Sequence, residues 1–217
     1  RAPPPMTAPV RLLSPQEARV LGVLFEKERT VPDSYPLSLN AIVLGANQKT
    51  SRSPLMEIGE GEAQAALDGL KARSLAVETS GGRVMRYAHN LPRALAIPAE
   101  AAAIVATLML RGPQTPGELR VNTERLHRFA DLSSLEAYLA ELAARPAGAL
   151  VVELPRAPGA RERRWAQLLS DPPPETDLAS VGRPADGGVD DDRFAALEAR
   201  VERLERMVAA LDPRDSG

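Results

Sequence analysis

The residues best suited to chemistry lie in one polar run. Asn47, Gln48, Lys49, Thr50, Ser51 and Arg52 follow one another directly, and Pro54 pins the far end. No Asp or Glu occurs between Asp33 and Glu57. Such a run can offer Lys49 and Arg52 to a phosphate, or present its donors to a protein partner. It can equally pack across its own domain, with Asn and Gln closing backbone hydrogen bonds, since a buried loop must satisfy its amides internally. A second set of cations lies downstream: Arg83 and Arg86, then Arg156, Arg161, Arg163 and Arg164. On hairpins these arginines could hold phosphate or reach a minor groove. They could also be solvated strand charges paired across to Glu153 and Glu162. Strand alternation puts Arg161 and Arg163 on one face and Arg164 on the other.

Catalytic patterns are absent from the sequence. There is no glycine-rich phosphate loop, no HExxH, no GxSxG and no cysteine. His89 and His127 stand without ligand-spaced partners and read as surface or capping residues. Glu26 and Glu28 read as a solvated helix end and not as an acid and base. The expectation is a protein that is not an enzyme, with no cofactor and no metal.

Charge is unevenly placed. Residues 11–90 carry 10 Lys/Arg against 9 Asp/Glu, residues 94–169 carry 9 against 8, and residues 171–217 carry 6 against 12. The globular part is near neutral, which is not the basic footprint of a chain held on DNA chiefly by phosphates. Aromatics are 3% of the 217 residues, so the core must be Leu, Val, Ile and Ala, which suits helices. The lack of cysteine, of a secretory lead in Arg1 to Pro9 and of any ~20-residue apolar run points to a cytoplasmic protein with no membrane span.

The elements that must position these residues are well signalled. Ser14-Pro15-Gln16-Glu17 has capping-box form, and Val20, Leu21, Leu24 and Phe25 recur on one face of the helix that follows. Ser38 caps a second helix with Ile42, Val43 and Ala46 inward. A third helix begins near Glu60, with Ala63, Ala66, Leu67 and Leu70 as its buried stripe. Leu75 to Thr79 and Arg83 to Tyr87 read as a hairpin about Ser80-Gly81-Gly82. The pattern then repeats. Ile97 to Leu110 is a helix, Thr115-Pro116-Gly117-Glu118 opens a short one, and Ser133-Ser134-Leu135-Glu136 caps another. Leu150 to Leu154 and a return strand bearing Arg161, Arg163, Arg164 and Trp165 close the second unit. Helix, helix, helix, hairpin is the winged-helix order. The expected fold is mainly α with small β-hairpins: a disordered lead over 1–10, winged-helix domains over 11–90 and 94–170, and a short linker near Leu91 to Ala96 between them.

Residues 171–192 are rich in Pro, Gly and Asp and read as a disordered linker. Residues 193–212 form an amphipathic segment in which Phe194, Leu197, Val201, Leu204, Val208 and Leu211 alternate spacings of three and four. That is a heptad seam, and it pairs Arg193 with Glu198 and Arg200 with Glu205 in a parallel homodimer. A single helix docking on the domains is the other reading, because the seam is under three heptads long.

Tyr35-Pro36-Leu37-Ser38-Leu39-Asn40 and the segment from Asn47 to Met56 resemble the YceH-like family of bacterial proteins. The resemblance extends to Glu17 to Gly22, Glu26-Lys27, Leu110 to Arg120, Pro155-Arg156 and Arg161 to Arg163, and covers residues 12–170. It implies a tandem winged-helix fold in a cytoplasmic bacterial protein and leaves activity open. Where members often carry a cysteine before the Asn-Gln-Lys run, this chain has Ala46.

Two functions stand side by side at this point. One is a dimeric DNA-binding regulator that contacts phosphates through its wings and the Lys49/Arg52 loop. The other is a protein-interaction adaptor. The third helix of each unit, which would enter a major groove, leads with acids: Glu60 and Glu62 in the first, Glu136 in the second.

Overall fold

A computed structural model describes residues 13–79, 84–156 and 158–170. The lead over 1–10, the segment over 171–192 and the heptad seam from Phe194 to Leu211 lie outside the described residues, as does Arg83.

Helix α1 spans Pro15–Thr30. Its capping box is closed in both directions: the Glu17 amide donates to Ser14 Oγ at 3.1 Å, and the Ser14 amide donates to Glu17 Oε2 at 2.7 Å. Strand β1 is Leu37–Ser38 and helix α2 is Leu39–Ala46, with Ser38 Oγ accepting from the Ala41 amide. Helix α3 is Glu60–Ala72, where the Glu62 carboxylate accepts from the Gly59 amide at 2.9 Å. Strands β2 (Ala76–Thr79) and β3 (Arg86–His89) follow. The sheet order is β1-β3-β2, all antiparallel, with Leu37 opposite Tyr87 and Glu78 opposite Tyr87 on the other side.

The same order then recurs. After the short helix α4 (Leu91–Leu95) come α5 (Ala99–Arg111), α6 (Pro116–Thr123) and α7 (Leu132–Ala143). Strands β4 (Val151–Glu153) and β5 (Trp165–Gln167) pair antiparallel, Val152 opposite Ala166. Over the described residues the chain is therefore α+β, mostly helical, with two small antiparallel sheets. No helix among the described residues is long and apolar enough to cross a membrane.

Three local expectations need correction. The stretch expected to be a linker is helix α4, started by Pro92 at its first turn. The α7 N-cap is Asp131, whose Oδ1 accepts from the Ser134 amide at 2.7 Å; Ser134 is its capping-box partner and not itself the cap. The returning strands begin later than expected, at Arg86 and Trp165. Ser38 is the N-cap of α2, as expected, and with Leu37 it also adds a short strand to the first sheet.

The core explains why the halves are not independent. In α5 every residue from Ala101 to Leu110 is buried, so this helix has no solvent face. One side meets α1 and the other meets α6, α7 and β5. Gly22 lets α1 and α5 approach: a Cβ there would sit 2.9 Å from the Leu110 side chain. Buried residues on α1 form an unbroken run from Glu17 to Phe25, since α2 and α3 cover its opposite face. The chain also closes on itself, because the Leu13 amide donates to the Leu169 carbonyl at 2.7 Å, beside a parallel bridge to Ser170.

Candidate functional site

The polar run after α2 folds over the C-terminal ends of two helices. Asn47 is the C-cap of α2. Its side chain then copies a strand pairing: Nδ2 donates to the Ile58 carbonyl at 2.9 Å and Oδ1 accepts the Ile58 amide at 2.8 Å. The loop is thus tied at both ends before α3 begins. In its middle the Ser53 amide donates to the Leu110 carbonyl at 2.9 Å, in the last turn of α5.

Arg52 sits under this loop and is 6% exposed. Its guanidinium has five N–H donors, and the structure supplies five acceptors. Nε donates to the Gly45 carbonyl at 3.0 Å. Nη1 donates to Glu26 Oε1 at 3.2 Å and to the Ser51 carbonyl at 2.8 Å. Nη2 donates to Glu26 Oε2 at 2.6 Å and to Gln48 Oε1 at 2.8 Å. The fork on Glu26 is bidentate, the strong form of this pair. Glu26 is therefore a half-buried anchor and not the solvated helix end its sequence context suggests.

Arg19 lies beside it, 1% exposed. Nη1 donates to the Ala46 carbonyl at 3.2 Å and Nη2 to the Pro54 carbonyl at 2.6 Å, while Nε has no partner. Burial pulls its pKa down to about 10, Arg52 adds like-charge repulsion, and Glu26 opposes both. Arg111, at the end of α5, donates from Nη2 to Ser51 Oγ at 2.7 Å. Burial lowers its pKa too, with Glu26 opposing and Arg52 reinforcing. Arg19, Glu26 and Arg111 were not singled out from sequence as site residues. A position between Ala18 and Val20 on an apolar helix was the signal for Arg19, and it becomes readable only once α1 is known to be covered on both sides.

The other sequence-derived candidates scatter. Gln48, Lys49 and Thr50 are exposed, although Gln48 spends its carbonyl oxygen on Arg52. Arg86 donates to the Pro36 carbonyl at 2.8 Å and toward Ser34 at 3.4 Å, tying β3 to the segment before β1. Arg163 pairs with Glu153 at 2.8 Å across the second hairpin. Arg164 turns inward, donating to the Pro113 carbonyl at 2.9 Å and to Glu118 at 3.1 Å. Arg156 and Arg161 are exposed. Glu60, on α3, and Glu136 and Glu141, on α7, face solvent.

The histidines also separate. His89 has a side chain only 5% exposed. Its Nδ1 accepts the Leu91 amide at 3.3 Å, at the start of α4, and its Nε2 lies 2.9 Å from Glu28. It packs on Phe25 and Tyr35, and the Tyr35 hydroxyl accepts the His89 amide at 2.7 Å. Desolvation pushes the Tyr35 phenol up to about 12. His127 stacks edge-on against Phe129. Among the described residues no three His, Asp or Glu side chains gather as a metal site.

A separate cavity of about 480 Å³ is lined by Leu13, Gly69, Arg73, Leu75, Leu95 and Leu169, among others. Arg73 Nη1 stands 2.7 Å from Glu17 Oε1 as an ion contact, off the axis of a hydrogen bond.

Comparison with known proteins gives one consistent answer. The family described as "Protein of unknown function, DUF480" matches residues 13–160. A UPF0502 protein of Dechloromonas aromatica is 56% identical over 199 residues, covering 92% of this chain and 92% of the relative. A UPF0502 protein of Delftia acidovorans is 53% identical over 213 residues, 94% of this chain and 92% of the relative. Another, from Methylibium petroleiphilum, is 55% identical over 204 residues, 94% and 87%.

Proposed function

The chain belongs to this DUF480 (UPF0502) family of uncharacterised bacterial proteins, and on that premise we propose that it is a non-catalytic, tandem winged-helix protein that works by binding a protein partner. The repeated order of three helices and a hairpin supports the winged-helix reading. The observation that carries the partner reading is how the cations are spent. Arg52, Arg86, Arg163 and Arg164 are engaged by the protein's own acceptors, and the third helices present acids where a duplex would present phosphates. Winged-helix domains serve as protein-interaction modules as well as DNA readers, so the fold does not decide between them.

Duplex binding is the second reading, favoured by the exposed Arg156 and Arg161 on the second hairpin. Fluorescence anisotropy of a labelled mixed-sequence duplex in low salt separates the two. The partner reading expects no saturable binding with the full chain. A dissociation constant near ~10 µM that weakens steeply with added salt, and is lost in Arg156→Glu with Arg161→Glu, would establish the duplex reading instead.

A further inference from the structure

The charge cluster under the polar loop is not balanced. Arg19, Arg52 and Arg111 bring three guanidinium groups together, and Glu26 is the carboxylate among them. The carbonyl end of α2 supplies part of the remainder, about half an elementary charge. It does so through Gly45 and Ala46, whose carbonyls accept from Arg52 and Arg19. A net positive charge is left over, to which Lys27, 3.6 Å from Glu26, contributes, and the exposed Lys49 ammonium adds another at the rim.

Arg111 is where that excess reaches the surface. Among the described residues its side chain makes one hydrogen bond, from Nη2 to Ser51 Oγ, which leaves Nε and Nη1 to donate outward. Ser51 Oγ accepts that bond and keeps its own proton to give. Ser51 also holds a left-handed backbone, φ 62°, which costs a non-glycine residue of order 1 kcal/mol. Leu44 and Leu55, 66% and 65% exposed, flank this run in sequence on the last turn of α2 and after Pro54.

We propose that the rim formed by Lys49, Thr50, Ser51 and Arg111 binds a carboxylate carried by the protein partner, with Leu44 and Leu55 receiving apolar side chains beside it. The site takes an acidic, leucine-bearing peptide segment. This rests on the protein-partner reading and names the chemistry of that partner. The carboxylate neutralises a guanidinium whose charged form is disfavoured by burial, against the opposing pull of Glu26 and with the like charge of Arg52 reinforcing it. It therefore gains more there than at a fully hydrated arginine.

The test is an amide NMR titration of the full chain with an acetylated, amidated Leu-Glu-Glu-Leu peptide and its Leu-Gln-Gln-Leu counterpart. The acidic peptide is expected to shift amides 48–52 saturably, and the neutral one to leave them in place. Lys49→Gln and Arg111→Gln should each weaken binding about ten-fold, in keeping with one lost charge-assisted hydrogen bond. Lys49 is exposed, so its variant keeps the fold even if the Arg111 variant does not. Equal response to both peptides, no shift at 48–52, or a Lys49→Gln variant that binds like the parent overturns the site. A mixed-sequence duplex run in parallel distinguishes the failures. Shifts at 48–52 from the duplex alone overturn both this site and the partner reading, whereas no response to either ligand overturns only the site.

Discussion

Arg52 has no donor left to lend, and this decides what its removal does. Arg52→Met would strand the Glu26 carboxylate and the Gly45 carbonyl beneath the loop. Breaking a buried pair from one side costs about 3–5 kcal/mol, and the lower end applies here because Glu26 is 17% exposed. Urea unfolding of the variant against the parent measures it. His89 gives a pH dependence of known sign. Its Nδ1 must keep a lone pair for the Leu91 amide, so the proton sits on Nε2 toward Glu28. Burial holds the imidazole below its ordinary 6.5; Glu28 opposes this and Arg29 reinforces it. As pH falls below 6.5 the unfolded chain therefore takes up the proton first, and stability drops until the folded value is passed. Unfolding midpoints at pH 7.5 and 5.5 should show the loss. His89→Asn, which keeps an acceptor for Leu91, should flatten that part of it.

Between elements, the close approach of α3 to α1 is set at Gly69. A Cβ there would overlap Glu17 Oε1, and that carboxylate is already held by the Ser14 amide and by Arg73. Gly69→Ala must displace it from the cap or from the arginine and should cost about 1–2 kcal/mol. Gly61→Ala, in the first turns of the same helix, meets nothing within contact distance and should instead stabilise by up to about 1 kcal/mol. Thermal unfolding of the two variants checks the contrast. Elements of this kind were largely readable from sequence, because the caps at Ser14 and Thr115 and the Leu67/Leu70 stripe are local signals. The strand starts at Arg86 and Trp165 were not, since pairing depends on a partner strand that local pattern does not include. The same limit applies to the site. A run of Asn, Gln, Lys, Thr, Ser and Arg reads as exposed. Only the packing of α1 against α2, which brings the Glu26 carboxylate and the Gly45 carbonyl together, gives Arg52 acceptors to turn toward.

At the level of the whole molecule, α1 and α5 bury one another. Leu110→Ala opens a gap opposite Gly22 and should cost about 2–4 kcal/mol while leaving one unfolding transition for the described region. Residues 11–90 produced alone would expose the α1 surface that α5 covers. They should unfold without cooperativity and bind a hydrophobic dye. A sharp transition in that fragment would mean that the repeat units are self-sufficient.

The pairing of Leu13 with Leu169 and Ser170 brings the two ends of the described unit side by side. In topological terms the fold is nearly a ring, cut at one arbitrary point. A few glycines and serines should suffice to join Ser170 to Leu13, and the exposed tip of the second hairpin, at residues 158–159, is a place to open the chain anew. Such a circular permutant should keep the far-ultraviolet spectrum of the parent. It would begin with the return strand and run through both repeats, with α1 and α5 still in the middle.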